Sequence, residues 1–367
     1  MKKIRIVLVI LICVFIVYAI MSGDESTVSD NFLNDDDNKN DRCLDYELVV
    51  VEDFIEVSED LTIDFSDHVV TDSYIFFILN YTGLEAKFGD YSDLMIYDIE
   101  NNDVEFLCRI EKEDSKVWVN ELVKINDYLV YQVTSPEGFE FCFYNLSSGE
   151  EGVVYSYSRY EQPYLGYRLK GNDRYLLWYE VGVSESGDEV WNYVIFDMLE
   201  MTVDRINSVF VTSPYRKPNV KDDCIVYIKL KEGEYKIFVM NLSTQSVKEF
   251  DIGNQVLDIK NLIANEDYIV WNESSDEMYV IDVKKDELEK LVLGDIPTYI
   301  FSFEMIDNTL IINGRGDDCL ITFNLDTNEV YYIEDSLTLA GDRVYDKIYS
   351  AVYLTQDSKG YFYFTVK

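Results

Sequence analysis

The sequence predicts an all-β fold: a seven-bladed β-propeller closed by a strand from its own N-terminal region, with six blades as the alternative. One transmembrane helix is expected ahead of it. Three observations carry this. An Asp recurs before a short β-branched and aromatic run, a second polar marker recurs after the next run, and the last repeat ends one strand short.

The clearest copy of the repeat is Asp267 to Leu293, DYIVWNESSDEMYVIDVKKDELEKLVL. It reads as three strands and two turns, because Val, Ile and Tyr runs of four to six residues between polar turns are strand signals. A helix needs a 3.6-residue stripe over ten or more residues, and these runs are too short for one. The leading Asp recurs at Asp72, Asp127, Asp173, Asp223, Asp267, Asp307 and Asp346, with steps of 55, 46, 50, 44, 40 and 39 residues. A carboxylate suits the place because it bonds the backbone two residues on and starts a turn. The second marker is an Asp or Asn ending a strand, then an apolar residue, then a polar turn. It stands at Asp98, Asn145, Asp197, Asn241, Asp282 and Asn324. A period near 45 residues built from four short strands is that of a propeller.

The seventh unit stops at GYFYFTVK, on its third strand. The missing strand is expected from Tyr46–Phe54 or, failing that, Leu61–Phe65, which closes the ring and removes open edges.

Ahead of the repeats, Lys2, Lys3 and Arg5 precede sixteen uncharged, mostly apolar residues from Ile6 to Met21. Residues 1–22 are read as an uncleaved signal anchor, single-pass, with the basic end cytoplasmic and the rest extracytoplasmic. Secretion after signal cleavage is the alternative. Residues 23–42 are polar and acidic and are expected to be a disordered tether. Residues 43–367 form the propeller domain.

Seventy acidic against 31 basic residues give a formal net charge of −39. That excludes nucleic acid as a partner, since phosphate needs a cationic surface, and limits membrane contact to the N-terminal helix. Six widely spaced cysteines contain no C-x-x-C pair, so neither a zinc site nor a disulfide framework is expected. The 30 tyrosines and 20 phenylalanines are assigned chiefly to packing between strands.

Chemistry is sparse. His68 is the only histidine. A Ser-His-Asp or Cys-His machine would have to use it, and no nucleophile elbow or phosphate-binding loop accompanies it. No catalytic residue, metal site or cofactor is expected; a loop-bound calcium has no ligand-spacing motif to support it. The connections between second and third strands vary most in length and are the expected binding face. Three are singled out: Asn80–Asp93, with Asp90, Tyr91 and Asp93; Val181–Val190 and its neighbour, with Asp188, Glu189 and Trp191; and Gly314–Asp318, where Arg315 and Asp317 flank Gly316.

The units DYIVW…MYVIDVKKDELEKL and DYLVY…FCFYNLSSGEEGVV resemble the repeats of TolB-like bacterial propellers, the group that includes the propeller half of prolyl-oligopeptidase-type peptidases. The resemblance spans about Tyr46–Lys367. The S-P-D-G signature of those repeats is absent, SPEG at Ser135–Gly138 falling in a different turn, and the hydrolase half is missing. Peptidase activity is therefore not carried over. The resemblance implies a scaffold in a cell envelope that binds a protein or peptide partner. A carbohydrate-binding or carbohydrate-active propeller using Asp, Glu and aromatics on its central face is the alternative. The oligomeric state is left open.

Overall fold

The computed structural model describes residues 47–50, 61–83, 89–113, 115–158, 169–183, 187, 189–210, 218–221, 223–252, 259–273, 277–291, 300–314, 320–333, 338–345, 348–354 and 359–365. The expected anchor and tether lie outside these residues. No helix among the described residues is long and apolar enough to cross a membrane.

All regular elements among the described residues are strands. β1 is Glu47–Val50. The first sheet is β2–β5 (Leu61–Val70, Tyr74–Gly83, Tyr91–Asp98, Asp103–Ile110). The second is β6–β9 (Trp118–Ile125, Tyr128–Ser135, Gly138–Asn145, Glu151–Ser158). The next eight strands share one sheet: β10–β13 (Lys170–Gly171, Tyr175–Val183, Glu189–Asp197, Thr202–Phe210) and β14–β17 (Asn219–Lys221, Cys224–Lys231, Glu234–Asn241, Val247–Asp251). Then follow β18–β21 (Asn261–Ala264, Tyr268–Asn272, Met278–Asp282, Glu287–Leu291) and β22–β25 (Ile300–Ile306, Thr309–Gly314, Leu320–Asn324, Val330–Ile333). The last sheet holds β26–β28 (Thr338–Tyr345, Ile348–Leu354, Lys359–Thr365) and β1.

Each recurring Asp among the described residues lies within two residues of the start of a second strand: β3, β7, β11, β15, β19 and β23. Asp346 lies outside the described residues. Every second marker is the last residue of a third strand. Its side chain explains the conservation of type along the chain. Oδ1 of Asn145 accepts the N–H groups of Ser147 and Ser148, and Asp197, Asp282 and Asn324 do the same for the residues two and three ahead. The N–H of Asn101 holds the Asp98 carboxyl below its ordinary range. Four residues beyond each marker the backbone turns left-handed: Asn102, Gly149, Met201, Gln245, Asp286 and Asn328 have φ between 52° and 69°. A bulky side chain is disfavoured there. Met201→Gly is therefore expected to stabilise the fold by about 1 kcal/mol, read as a higher urea midpoint. An unchanged or lower midpoint would refute this account of the turn.

The second strands β3, β7, β11, β15, β19 and β23 are buried on both faces, and their alternating side chains serve two cores. Leu176 and Trp178 of β11 pack with Phe141 and Phe139 of the second sheet, whereas Tyr175 and Leu177 pack with Ile225 and Tyr227 of β15. In β19, Ile269 and Trp271 face β15 and β16 while Val270 faces β23. Each core thus lies between neighbouring groups of strands, and each fully buried aliphatic or aromatic residue contributes about 1.5–3 kcal/mol of transfer energy.

The innermost strands touch in the cycle β2, β6, β10, β14, β18, β22, β26 and back to β2. Gly171 in β10 permits one of these approaches, since a Cβ there would sit 2.7 Å from Cγ1 of Val123. Of the two segments expected to close the ring, the first does so: Glu47–Val50 pairs antiparallel with Gly360–Tyr363. Leu61–Phe65 belongs to β2 instead. One joint differs from the rest. Val209 and Phe210, at the end of β13, pair with Lys229 and Ile228 of β15, so the third and fourth groups of strands form one continuous sheet.

Candidate functional site

Antiparallel meanders place the turns between strands one and two, and between three and four, at one end of the sheets. Connections between strands two and three lie at the other end. These are called here the turn end and the loop end.

At the turn end a cavity of about 1120 Å³ surrounds the axis. Its wall includes Lys124 of β6, Lys170 and Gly171 of β10, Asn219 and Lys221 of β14, and Glu304 of β22. The first-to-second-strand turns add Asp72, Asp127, Asp173, Asp223 and Glu266, and an arm between the first two sheets adds Phe76, Ile96, Leu107 and Leu146. Most of the rim is locally tied. The Asp127 carboxylate accepts the Ser147 hydroxyl, Asp223 accepts that of Ser243, and the Asn126 amide donates to the Asp173 carbonyl. Arg174 is held by Asp197 at 2.5 Å. Lys124 Nζ donates to the Asn126 carbonyl at 2.6 Å.

Lys170 and Glu304 meet inside the cavity. Both carboxylate oxygens lie within hydrogen-bond range of Nζ, at 2.9 and 2.8 Å, although the residues are 134 apart in sequence. These lysines were not anticipated. A signal for them exists: Lys stands two or three residues before the repeating Asp in three consecutive units, KIND, KGND and KDD, ending at Asp127, Asp173 and Asp223.

The residues expected at the loop end are partly brought together. The Asn80–Asp93 connection is shorter than expected, because β3 runs through Gly83 and β4 starts at Tyr91. Asn80 is fully buried and bonds both the N–H and the C=O of Val119, which draws the strand onward. Tyr81 and Tyr91 rings lie 4.7 Å apart, and the Arg109 guanidinium sits 3.9 Å over Tyr91. Asp93 is 4% exposed and takes both a 2.9 Å and a 3.1 Å bond from Arg109. Burial, then the Asp93 charge, pushes the Tyr81 hydroxyl up to about 12. Asp93 is thus committed to an internal clamp. Asp90 is exposed and 3.7 Å from Lys116. Trp191 is half-buried against the β11–β15 core, opposite Val181. Glu189 opens β12. Asp188, Arg315 and Asp317 lie outside the described residues.

His68 is fully buried in β2, and its backbone N–H donates to Asp67. Burial also pushes the thiols of Cys108 and Cys142 up to about 12, which keeps them protonated at neutral pH. Among the described residues no group of three metal-ligating side chains occurs.

No protein-family model matches the chain, and no curated protein matches it. Among solved structures, the β-propeller domain of the Trilobed protease from Pyrococcus furiosus is similar, with TM-score 0.57 and 14% identity over 83% of this chain and 96% of that one. That domain is described as having an open velcro topology; here β1 pairs with β28. The acylaminoacyl peptidase of Pyrococcus horikoshii matches with TM-score 0.55 and 12% identity over 80% of this chain. The match covers 49% of that peptidase, so the chain spans about half its length. TolB from Acinetobacter baumannii matches with TM-score 0.41 and 11% identity over 75% of this chain and 79% of that one. At these identities the likeness concerns the fold alone, that of a β-propeller, and it rests on the two peptidase propeller structures.

Proposed function

We propose that the chain is a seven-bladed propeller, held outside the cytoplasm by an N-terminal membrane anchor, that binds a protein or peptide partner in the cell envelope. The cycle of innermost strands supports the blade number. The basic-then-apolar start, Lys2 to Met21, supports the anchor. The observation that carries the binding reading is the axial cavity at the turn end, where three lysines stand inside a rim of carboxylates in a chain of net charge −39. Such concave sites with a few convergent polar groups are the usual places for ligands. No cofactor is assigned.

The test is photo-cross-linking with the full-length chain in its native envelope. A photoreactive residue replaces Lys221 at the turn end or Tyr91 at the loop end. A discrete protein or peptide adduct from position 221 and none from position 91 is expected. An adduct from position 91 alone moves the site to the loop end, and no adduct from either position overturns the reading.

A further inference from the structure

Lys170 and Glu304 occupy the same rung of their sheets. Lys170 lies opposite Leu177, the third residue of β11, and Glu304 opposite Ile311, the third residue of β23. Their strands are not neighbours: β10 touches β6 and β14, and β22 touches β18 and β26. The ion pair therefore crosses the axis. Its side chains are only 16% and 14% exposed, yet both line the cavity.

This arrangement sorts ligands by charge. An ion pair partly withdrawn from water is costly to break when one member is left alone. A ligand with a single negative charge gains Lys170 only by abandoning Glu304, and a single positive charge does the reverse. A ligand carrying an ammonium and a carboxylate gives each residue a new partner and strands neither. Lys221 adds a second ammonium on the adjacent innermost strand, and it makes no ion pair among the described residues. The apolar arm at Phe76, Ile96 and Leu107 offers room for a side chain.

We propose that the axial cavity is a site for short peptides with both ends free. The peptide ammonium goes to Glu304 and its carboxylate to Lys170 and Lys221, the resident pair opening to admit it. This rests on the reading that the turn end is the binding end.

The experiment is calorimetric titration of the full-length chain with alanyl-leucyl-alanine and with its N-acetylated, C-amidated and doubly blocked forms. The free peptide is expected to bind, and each single block to weaken binding about tenfold or more, the loss of one charge-assisted contact. The variant K170M/E304M is expected to lose binding. The charge-swapped K170E/E304K keeps an ion pair across the cavity but places a glutamate beside Lys221, so it is expected to bind the free peptide more weakly than the native chain while still discriminating free from blocked ends. Equal affinity for free and blocked peptides, no binding of the free peptide, or full binding by K170M/E304M would overturn the inference. If the free peptide fails while position 221 still cross-links a partner, this inference falls and the broader reading stands. If both fail, both fall.

Discussion

Trp178→Ala is expected to cost about 3–5 kcal/mol of stability, the range for emptying a buried tryptophan site. Trp178 is fully buried between the second and third groups of strands. Its ring meets Phe141 edge-on at 4.9 Å and tilts over Tyr155 at 5.8 Å. Its indole N–H donates to the Tyr157 hydroxyl at 2.9 Å, and that hydroxyl donates to Glu180 at 2.8 Å. Arg205 completes the chain, reaching Glu180 at 2.5 Å and the Tyr155 hydroxyl at 3.0 Å. Alanine removes the volume and the donor together. Phenylalanine keeps most of the ring and removes the donor, so Trp178→Phe should cost about 1 kcal/mol, the net worth of one hydrogen bond, plus a smaller packing loss. The two variants are compared by urea midpoint. A loss under 1 kcal/mol for the alanine variant would show that this core is not what joins the two groups.

Removing β1 should have the other large effect. A chain starting at residue 52 lacks the partner of Gly360–Tyr363, whereas one starting at residue 43 retains it. The shorter chain leaves β28 as an open edge, and open edges pair with other chains. Size-exclusion chromatography is expected to show a monomer for the longer chain and dimers or aggregates for the shorter, with a lower and broader thermal transition. A monomeric shorter chain with an unchanged transition would mean that closure by β1 is dispensable.

Much of the fold was legible because its turns are chemically specific. Asp or Asn at the end of the third strands β4, β8, β12, β16, β20 and β24 is required by the N–H groups that its side chain receives, so a residue-type pattern located strands that share little else. The strand ends were less legible. Asn80 and Thr82 look like loop residues, but cross-strand pairing and the bonds to Val119 hold them in β3. The candidate site was the least legible. The loop end was chosen for its variable lengths, yet Asp93 there is occupied by Arg109. The Lys170–Glu304 contact joins positions that meet only once the ring is closed, and no local pattern encodes that distance.

The shared sheet of β10–β17 also bears on motion. Elsewhere neighbouring sheets are joined by side-chain cores, with no strand of one pairing with a strand of the next among the described residues. At β13 and β15 two backbone pairs are added to the side-chain core, so these eight strands are expected to move together as one sector. Lys170 and Lys221 both stand on that sector, and their spacing is fixed with it. Glu304 stands outside it. Any movement of the sheets against one another would therefore change the distance across the axis while leaving the two lysines in step, a constant pair of positive charges.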